Sequence, residues 1–170
     1  MLISWWIDMR TLICLLIFCT LGVSASAEIN TPRAIIGVAT AIDGDTIKIN
    51  GNNIRLNGID APERKQSCTY EGSEWLCGQK ATLALSELIR RETVNCHVSG
   101  RDRYKRSIAI CFVGRLDLNA WMVEQGWAVA NRKYLTDYVM QEDEARQEKR
   151  GIWKGEFVMP WDWRAQKKKS

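Results

Sequence analysis

The stretch Ile54-Arg-Leu-Asn-Gly-Ile-Asp-Ala-Pro-Glu63 follows Asp43-Gly-Asp-Thr46 closely and sets charged residues among apolar, strand-forming ones. Between the two, Thr46 to Ile49 alternates polar and apolar residues, and Asn50-Gly-Asn52 is typical of a hairpin turn. An earlier apolar run, Ala34 to Ile42, predicts a strand that a glycine-containing turn joins to the next. These patterns predict a meander of three short strands that carries polar residues at its turns.

Further strands and helices are predicted downstream and complete an α+β chain. In chain order they are a helix at 79–91, strands at 93–98 and 106–113, a helix between Asp117 and Gly126, and a charged helix at 136–150. The first helix repeats apolar residues at i, i+3, i+4 and i+7 from Ala81, and Asp117 is a favourable N-cap. Glu142 and Arg146 stand at ion-pair spacing on the third helix, whose charges we interpret as a mainly solvated face. This order favours a five-stranded, OB-type Greek-key β-barrel with three helices.

The amino-terminal segment predicts export. Thr11 to Val23 is a nearly unbroken apolar run that follows Arg10 and precedes Ala25-Ser-Ala27. Residues 1–27 are therefore expected to be a signal peptide, cleaved after its small-residue triplet. An uncleaved membrane anchor is the alternative, although the run is short for a bilayer span. A translation start at Met9 would give a shorter signal with a cleaner positive end.

Removal of the signal leaves residues 28–170, which are expected to form one OB-fold domain with a sizeable core. The signal holds one acid and one base, so the formal net charge of +4 is unchanged. That surplus permits a polyanionic partner without requiring one. We expect a monomer that has no stable membrane association and resides in the periplasm or is secreted.

Four cysteines remain after the signal, namely Cys68, Cys77, Cys96 and Cys111. An even number in an exported domain indicates two disulfides, with three possible connectivities. We favour Cys96–Cys111, because these residues lie in successive predicted strands, and Cys68–Cys77 would then close a short loop. A metal site is the weaker alternative, since the chain has no C-x-x-C pair and a single histidine. That histidine, His97, is interpreted as structural.

The polar residues at the turns supply the chemistry of phosphodiester hydrolysis. Asp43-Gly-Asp-Thr46 and the 54–63 stretch bring carboxylates that suit a hard, oxygen-liganded cation. Arg55 and a second cluster, Asp102-Arg-Tyr-Lys-Arg106, bring guanidinium groups that suit a phosphate. A further carboxylate can take a proton from water. Each residue alone also has a structural interpretation, and Asp43 is expected to act only in its turn.

Three segments together resemble the staphylococcal nuclease-like (thermonuclease) family. They are Asp43-Gly-Asp-Thr, Arg55-x4-Asp60-x-Pro-Glu63 and Asp102-x-Tyr-x-Arg106, in the family's order and spacing. The resemblance extends from Val38 to about Trp163. It implies an OB barrel in residues 28–170 and a calcium-dependent nuclease that cuts DNA and RNA with little sequence preference.

The resemblance also implies roles for individual residues. The matching positions are Asp45, Asp60 and the Ala61 carbonyl for Ca²⁺, Glu63 for the general base, Arg55 and Arg106 for the scissile phosphate, and Tyr104 for a nucleotide phosphate. Ala61 replaces a familiar threonine, and Lys105 stands where glycine is common. Two other functions stay open: a non-catalytic nucleic-acid-binding OB module, and an exported interaction protein held together by disulfides.

Overall fold

The computed structural model describes residues 33–133 and 135–169, so the predicted signal peptide, residues 1–27, lies outside the described residues. The strands are β1 (Arg33–Ala41), β2 (Thr46–Ile49), β3 (Asn52–Leu56), β4 (Ile59–Asp60), β5 (Cys68–Tyr70), β6 (Ser73–Trp75), β7 (Thr93–Arg101), β8 (Ser107–Val113), β9 (Leu116–Asp117) and β10 (Val129–Ala130). The helices are α1 (Cys77–Leu88), α2 (Leu118–Glu124), α3 (Val139–Gln147) and α4 (Pro160–Lys167), with a 3-10 turn at Gly151–Lys154.

Five strands close into a barrel with the pairing order of an OB fold. β1 pairs antiparallel with β2 and with β7, β2 with β3, and β7 with β8. The barrel closes where β3 and β8 pair in parallel, with Ile54 opposite Ser107 and Arg55 opposite Ile108. The predicted α+β class and OB-type barrel are confirmed.

The β2–β3 hairpin shows why the predicted meander forms. Asn50 and Gly51 adopt positive φ angles of 48° and 81°, which a two-residue hairpin turn requires and which asparagine and glycine tolerate best. Ile47 and Ile54 are fully buried and lie opposite each other in the register. Alternation along both strands therefore fills the barrel interior with branched apolar side chains, which pack well on a pleated surface.

The helices match the prediction except at the carboxyl end. Asp117 caps α2, because its Oδ1 accepts from the amides of Asn119 at 2.8 Å and Ala120 at 3.1 Å, and Gly126 follows the helix at φ 70°. The number of helices was wrong: α4 is a fourth helix. It has eight residues and buries only Pro160, so its sequence offers no apolar stripe. No helix within the described ranges is long and apolar enough to cross a membrane.

Both favoured disulfides are present. Cys96 and Cys111 lie opposite each other on β7 and β8 with their Cα atoms 4.0 Å apart. Cys68–Cys77, with Cα atoms 5.6 Å apart, encloses the β5–β6 hairpin rather than a plain loop. This bridge belongs to a small second core that Val129 and Ile152 complete.

The charges of the third helix are mainly solvated, as interpreted from the sequence, because Asp143, Glu144 and Arg146 are exposed, and Glu142 is the exception. Glu142 is 3% exposed, and its carboxylate accepts from Arg132 Nη2 at 2.7 Å. Arg146, four residues on, lies 3.6 Å from the same carboxylate. Burial raises the pKa of Glu142, although both arginines oppose that shift. The pattern of charges did not reveal the burial, because Arg132 lies outside the helix.

Candidate active site

The turn between β1 and β2 delivers Asp45 to the site. Asp43 closes the turn, because its Oδ1 accepts from the Asp45 amide at 3.0 Å, which is the structural role predicted for it. Gly44 allows a close approach: a Cβ there would lie 2.7 Å from the Cβ of Ala61 and 3.0 Å from that of Ala81 on α1. A larger residue at position 44 would therefore force Asp45 and Ala61 apart.

Asp45 and Asp60 converge on a single guanidinium. Arg55 Nη1 donates to Asp45 Oδ1, and Arg55 Nη2 donates to Asp60 Oδ1 at 2.8 Å. Asp45 is 3% exposed and Asp60 is fully buried. Because one guanidinium bridges them, the two carboxylates lie close enough to share a cation.

Arg55 does not balance the charge of this pair. Burial raises the pKa of Asp45 to about 7, and the carboxylates of Asp43 and Asp60 add to that rise, while Arg55 opposes it. Burial alone would lower the pKa of Arg55, but Asp45 and Asp60 raise it above its ordinary value. An additional cation beside the two carboxylates would favour their ionised forms.

The backbone of Ala61 lies beside the same carboxylates, and its N–H donates to Asp45 Oδ2 at 3.0 Å. The atoms available as metal ligands are oxygens from Asp45, Asp60 and the peptide backbone. Such a set fits calcium or magnesium better than zinc. Over residues 33–133 and 135–169 no three His, Cys, Asp or Glu side chains are arranged to hold a metal. A hard cation here would complete its shell with backbone and water oxygens.

Glu63 is held at the edge of the site by its backbone. Its carbonyl accepts from the Gln66 amide at 2.6 Å, and its N–H donates to Gln66 Oε1 at 3.3 Å. Gln66 is fully buried, and its Nε2 donates to the carbonyl of Val158 at 2.6 Å. Gly78 makes this packing possible, because a Cβ there would lie 1.8 Å from the Glu63 carbonyl oxygen. The Glu63 side chain keeps 35% exposure, which leaves it accessible to water.

Residues 102–106, here called the arginine loop, organise the second arginine. Asp102 Oδ1 accepts from the amides of Tyr104 and Arg106, each at 2.9 Å, and its Oδ2 accepts from Arg106 Nε at 2.7 Å. These hydrogen bonds, against the opposing effect of burial, lower the pKa of Asp102. Lys105 adopts φ 65°, a left-handed conformation that explains why glycine suits this position. Tyr104 is 64% exposed, with its ring centroid 5.6 Å from Arg106 Cζ.

Thr46 and Asp45 link the two arginines across the seam of the barrel. Arg106 Nη1 donates to Thr46 Oγ at 3.4 Å, and Thr46 Oγ donates to Asp45 Oδ1 at 3.0 Å. Arg55 lies opposite Ile108 on the adjacent strand, two residues beyond Arg106. Thr46 therefore connects the arginine loop to the buried carboxylates.

A third arginine, which no sequence motif predicts, completes the site. Arg164 on α4 donates to Asp60 Oδ1 and Oδ2 at 3.0 and 2.7 Å and to Glu63 Oε1 at 2.9 Å. We call Asp45, Asp60 and Glu63 the carboxylate cluster. Burial alone would lower the pKa of Arg164, but its hydrogen bonds to Asp60 and its proximity to Asp60 and Glu63 raise it above its ordinary range.

The structure brings most of the predicted site residues into one group, and their catalytic roles stay predictions. Those that lie together are Asp45, Arg55, Asp60, Ala61, Glu63 and Arg106. Tyr104 stands beside them on the exposed side. Besides Arg164, three other residues of the site were not predicted, namely Thr46, Asp102 and Gln66. Thr46 and Asp102 lie inside the motifs and could have been found there, whereas Gln66 and Arg164 carry no local signal.

Comparisons with known proteins agree with this geometry. The staphylococcal nuclease homologue family model matches residues 53–155, more than half of the chain. A Haemophilus influenzae protein named "Uncharacterized endonuclease" is 33% identical over 158 residues, which cover 91% of this chain and 83% of that protein. An Escherichia coli O157:H7 protein of the same name is 36% identical over 113 residues, 64% of this chain and 68% of that protein. The micrococcal nuclease of Shigella flexneri is 33% identical over 120 residues, 62% of this chain and 64% of that protein. The chain therefore belongs to the staphylococcal nuclease family, and it is a nuclease.

Proposed function

We propose that this nuclease depends on calcium and hydrolyses phosphodiester bonds of both DNA and RNA with little sequence preference. The observation that carries the proposal is the convergence of two buried carboxylates, Asp45 and Asp60, on Arg55. Such a pair, with an accessible carboxylate and a second arginine nearby, provides the charges that phosphodiester hydrolysis needs.

The metal site of the proposal is formed by Asp45, Asp60 and the backbone carbonyl of Ala61. These oxygens fit calcium, whose shell is flexible and rich in oxygen. Calcium bound there would supply positive charge to the phosphodiester group in the transition state. The raised pKa of Asp45, caused first by burial, supports a site that is stabilised by an added cation.

The remaining residues bind the substrate and move a proton. Arg55 and Arg106 bind the scissile phosphate, because a guanidinium matches two phosphate oxygens at once. They also stabilise the charge that develops on the leaving oxygen. Glu63 takes a proton from the attacking water as general base. Tyr104, exposed beside Arg106, contacts a nucleotide phosphate.

The direct test is cleavage of single-stranded DNA, double-stranded DNA and RNA by the purified protein with calcium and with a chelator. We expect all three to be cut and the chelator to abolish cutting. Arg106→Ala should lower kcat on the order of 10²- to 10³-fold, the usual loss for one charge-stabilising group. Glu63→Gln should lower it by about 10²- to 10⁴-fold, the usual contribution of a general base. Glu74→Gln, which neutralises an exposed acid on β6, should cut at the wild-type rate.

The same assay distinguishes the alternative functions. Retention of intact DNA on a filter in the presence of calcium, without cleavage, would support a binding module instead. Cleavage at an undiminished rate by both site variants would contradict the assigned residues. Full activity in chelator would contradict the calcium requirement.

We also propose that the protein is exported, as a monomer, to the periplasm or the medium. The two disulfides support an oxidising compartment. Cell fractionation followed by mass measurement of the purified protein should give a mature amino terminus at residue 28. A cytosolic protein that keeps residues 1–27 would contradict export. Sedimentation should give the mass of one chain.

A further inference from the structure

α4 places the guanidinium of Arg164 inside the carboxylate cluster. Arg164 holds both oxygens of Asp60 and one oxygen of Glu63 at 2.7 to 3.0 Å. One side chain thus contacts a metal ligand and the general base of the proposed function. α4 begins at residue 160, beyond residue 155, where the match to the family model ends.

These hydrogen bonds occupy lone pairs of the Asp60 carboxylate that a bound cation would need. A carboxylate has about four lone-pair directions for hydrogen bonds or metal ligands. Asp60 accepts one hydrogen bond from Arg55 and two from Arg164. A divalent cation on the same oxygens would also lie beside the positive charge of Arg164, and like charges at such distances repel strongly away from bulk water.

The contact with Glu63 conflicts with its proposed role in the same way. A general base must direct a carboxylate lone pair toward the water that it activates. Arg164 Nη1 takes a hydrogen bond position on Glu63 Oε1 at 2.9 Å. The conformation with Arg164 in the cluster is therefore a closed one.

The attachment of α4 would allow it to leave. Pro160 is the one buried residue of the helix, Trp163 and Arg164 are half-buried, and the other five are exposed. The segment before it is firmly held: Val158 accepts from Gln66 Nε2 at 2.6 Å, and Glu156 and Thr69 exchange two backbone hydrogen bonds of 2.8 Å. A helix with little buried surface that follows an anchored segment can open without disturbing the barrel.

We propose that Arg164 is an internal competitor for the divalent-cation site, so that α4 covers the carboxylate cluster in the resting enzyme and lifts when the cation binds. The proposal rests on the proposed function, because it concerns the same site. Its consequence is autoinhibition: at low calcium, Arg164 occupies both the metal ligand Asp60 and the general base Glu63.

The first measurement is calcium affinity by titration calorimetry on the purified wild type, Arg164→Gln and Lys168→Gln. Arg164→Gln should bind calcium roughly tenfold more tightly, because the cation no longer competes with a charge-assisted contact. Lys168 follows the last residue of α4 and is exposed, and its substitution should change the affinity by no more than about twofold. Arg164→Lys, which keeps the charge but loses the forked contact, should fall between.

The second measurement is hydrogen exchange of the amides at 161–167 with and without calcium. In the wild type, saturating calcium should speed exchange in α4 and leave the barrel strands protected. In Arg164→Gln, exchange in α4 should already be fast, and calcium should add little. Circular dichroism confirms that each variant is folded, and Arg164→Lys serves if the glutamine variant is not.

The outcomes separate this proposal from the proposed function. Equal calcium affinity in wild type and Arg164→Gln, or α4 exchange that calcium leaves unchanged, overturns the competitor role and leaves the calcium site standing. Loss of cleavage by Arg164→Gln at unchanged calcium affinity also overturns it, since Arg164 would then serve the substrate. No calcium binding to wild type, matching Asp45→Asn, removes both proposals.

Discussion

The carboxylate cluster and the arginine loop lie on opposite sides of Thr46 and handle charge in opposite ways. In the cluster, two carboxylates almost out of water share Arg55, and burial raises the pKa of Asp45 to about 7. In the loop, Asp102 has an arginine and two backbone amides to itself, and its pKa is lowered.

The contrast shows which kind of ligand each of the two regions suits. The cluster has more buried negative charge than Arg55 offsets, so a further cation stabilises it, whether a metal ion or Arg164. The loop is balanced internally, and Asp102 uses the Nε edge of Arg106. This contact orients the Arg106 guanidinium without burying it completely. Such an arrangement suits a group that binds an incoming phosphate.

The largest expected difference is in the free energy of unfolding after loss of each arginine. Arg55→Ala leaves two buried carboxylates short of a partner and should lower that free energy by about 3 kcal/mol or more. Arg106→Ala breaks a partly exposed pair and should cost about 1 kcal/mol. Urea denaturation at neutral pH measures both. Equal losses would show that the two sides do not differ in electrostatic strain.

Bound calcium should stabilise the folded protein through the carboxylate cluster and not through the arginine loop. At a free concentration about a hundredfold above Kd, one bound ion adds about 2.7 kcal/mol to the free energy of unfolding. Arg106→Ala should retain this gain, whereas Asp45→Asn should lose it. Thermal unfolding with calcium and with chelator measures the effect. A gain that survives in Asp45→Asn would place the ion elsewhere.

The pH dependence of stability should have opposite signs on the two sides. Asp45 has a folded pKa of about 7, above its unfolded value of 3.8, so its contribution falls as pH rises from about 4 to 7, by at most about 1.4 kcal/mol per pH unit. Asp102 has a folded pKa below 3.8, so its contribution is full above about pH 4 and is lost on acidification through the folded pKa. Unfolding in chelator across pH tests this: Asp45→Asn should flatten the first window and Asp102→Asn the second.

The smallest expected effect concerns the backbone of the loop. Lys105 has φ 65°, so Lys105→Gly should relieve a left-handed conformation and stabilise the protein by about 0.5 kcal/mol after the entropic cost of glycine. Urea denaturation detects such a shift if replicate midpoints agree closely. A loss of stability would show that the lysine side chain contributes more than its backbone costs.

The barrel could be predicted because its signals are local. Alternation at Thr46–Ile49, the Asn50-Gly51 turn and the Asp117 cap each act over a few residues, and each has the predicted effect in the structure. The pairing of Cys96 with Cys111 followed from the same strand assignment.

The missed features depend on contacts between distant segments. Arg164 lies on a short polar helix, and only the fold brings it to Asp60. The buried Gln66 donates to the carbonyl of Val158, which lies far along the chain. The buried Glu142 pairs with Arg132, which lies outside its helix. No periodicity encodes such meetings. The site motifs could be read in advance, but the partner that closes over them could not.

The parallel pairing of β3 with β8 has a consequence for how activity arises during folding. Ile54 and Ser107 meet there, and the chain between them must form a long loop, which makes such closure slow compared with helix formation. Arg55 and Arg106 come from the two sides of this seam. An intermediate with its helices formed but the seam open keeps these two arginines apart, so they could not bind one phosphate together as the proposed function requires. Recovery of cleavage on refolding should therefore follow seam closure, later than the recovery of helical circular dichroism.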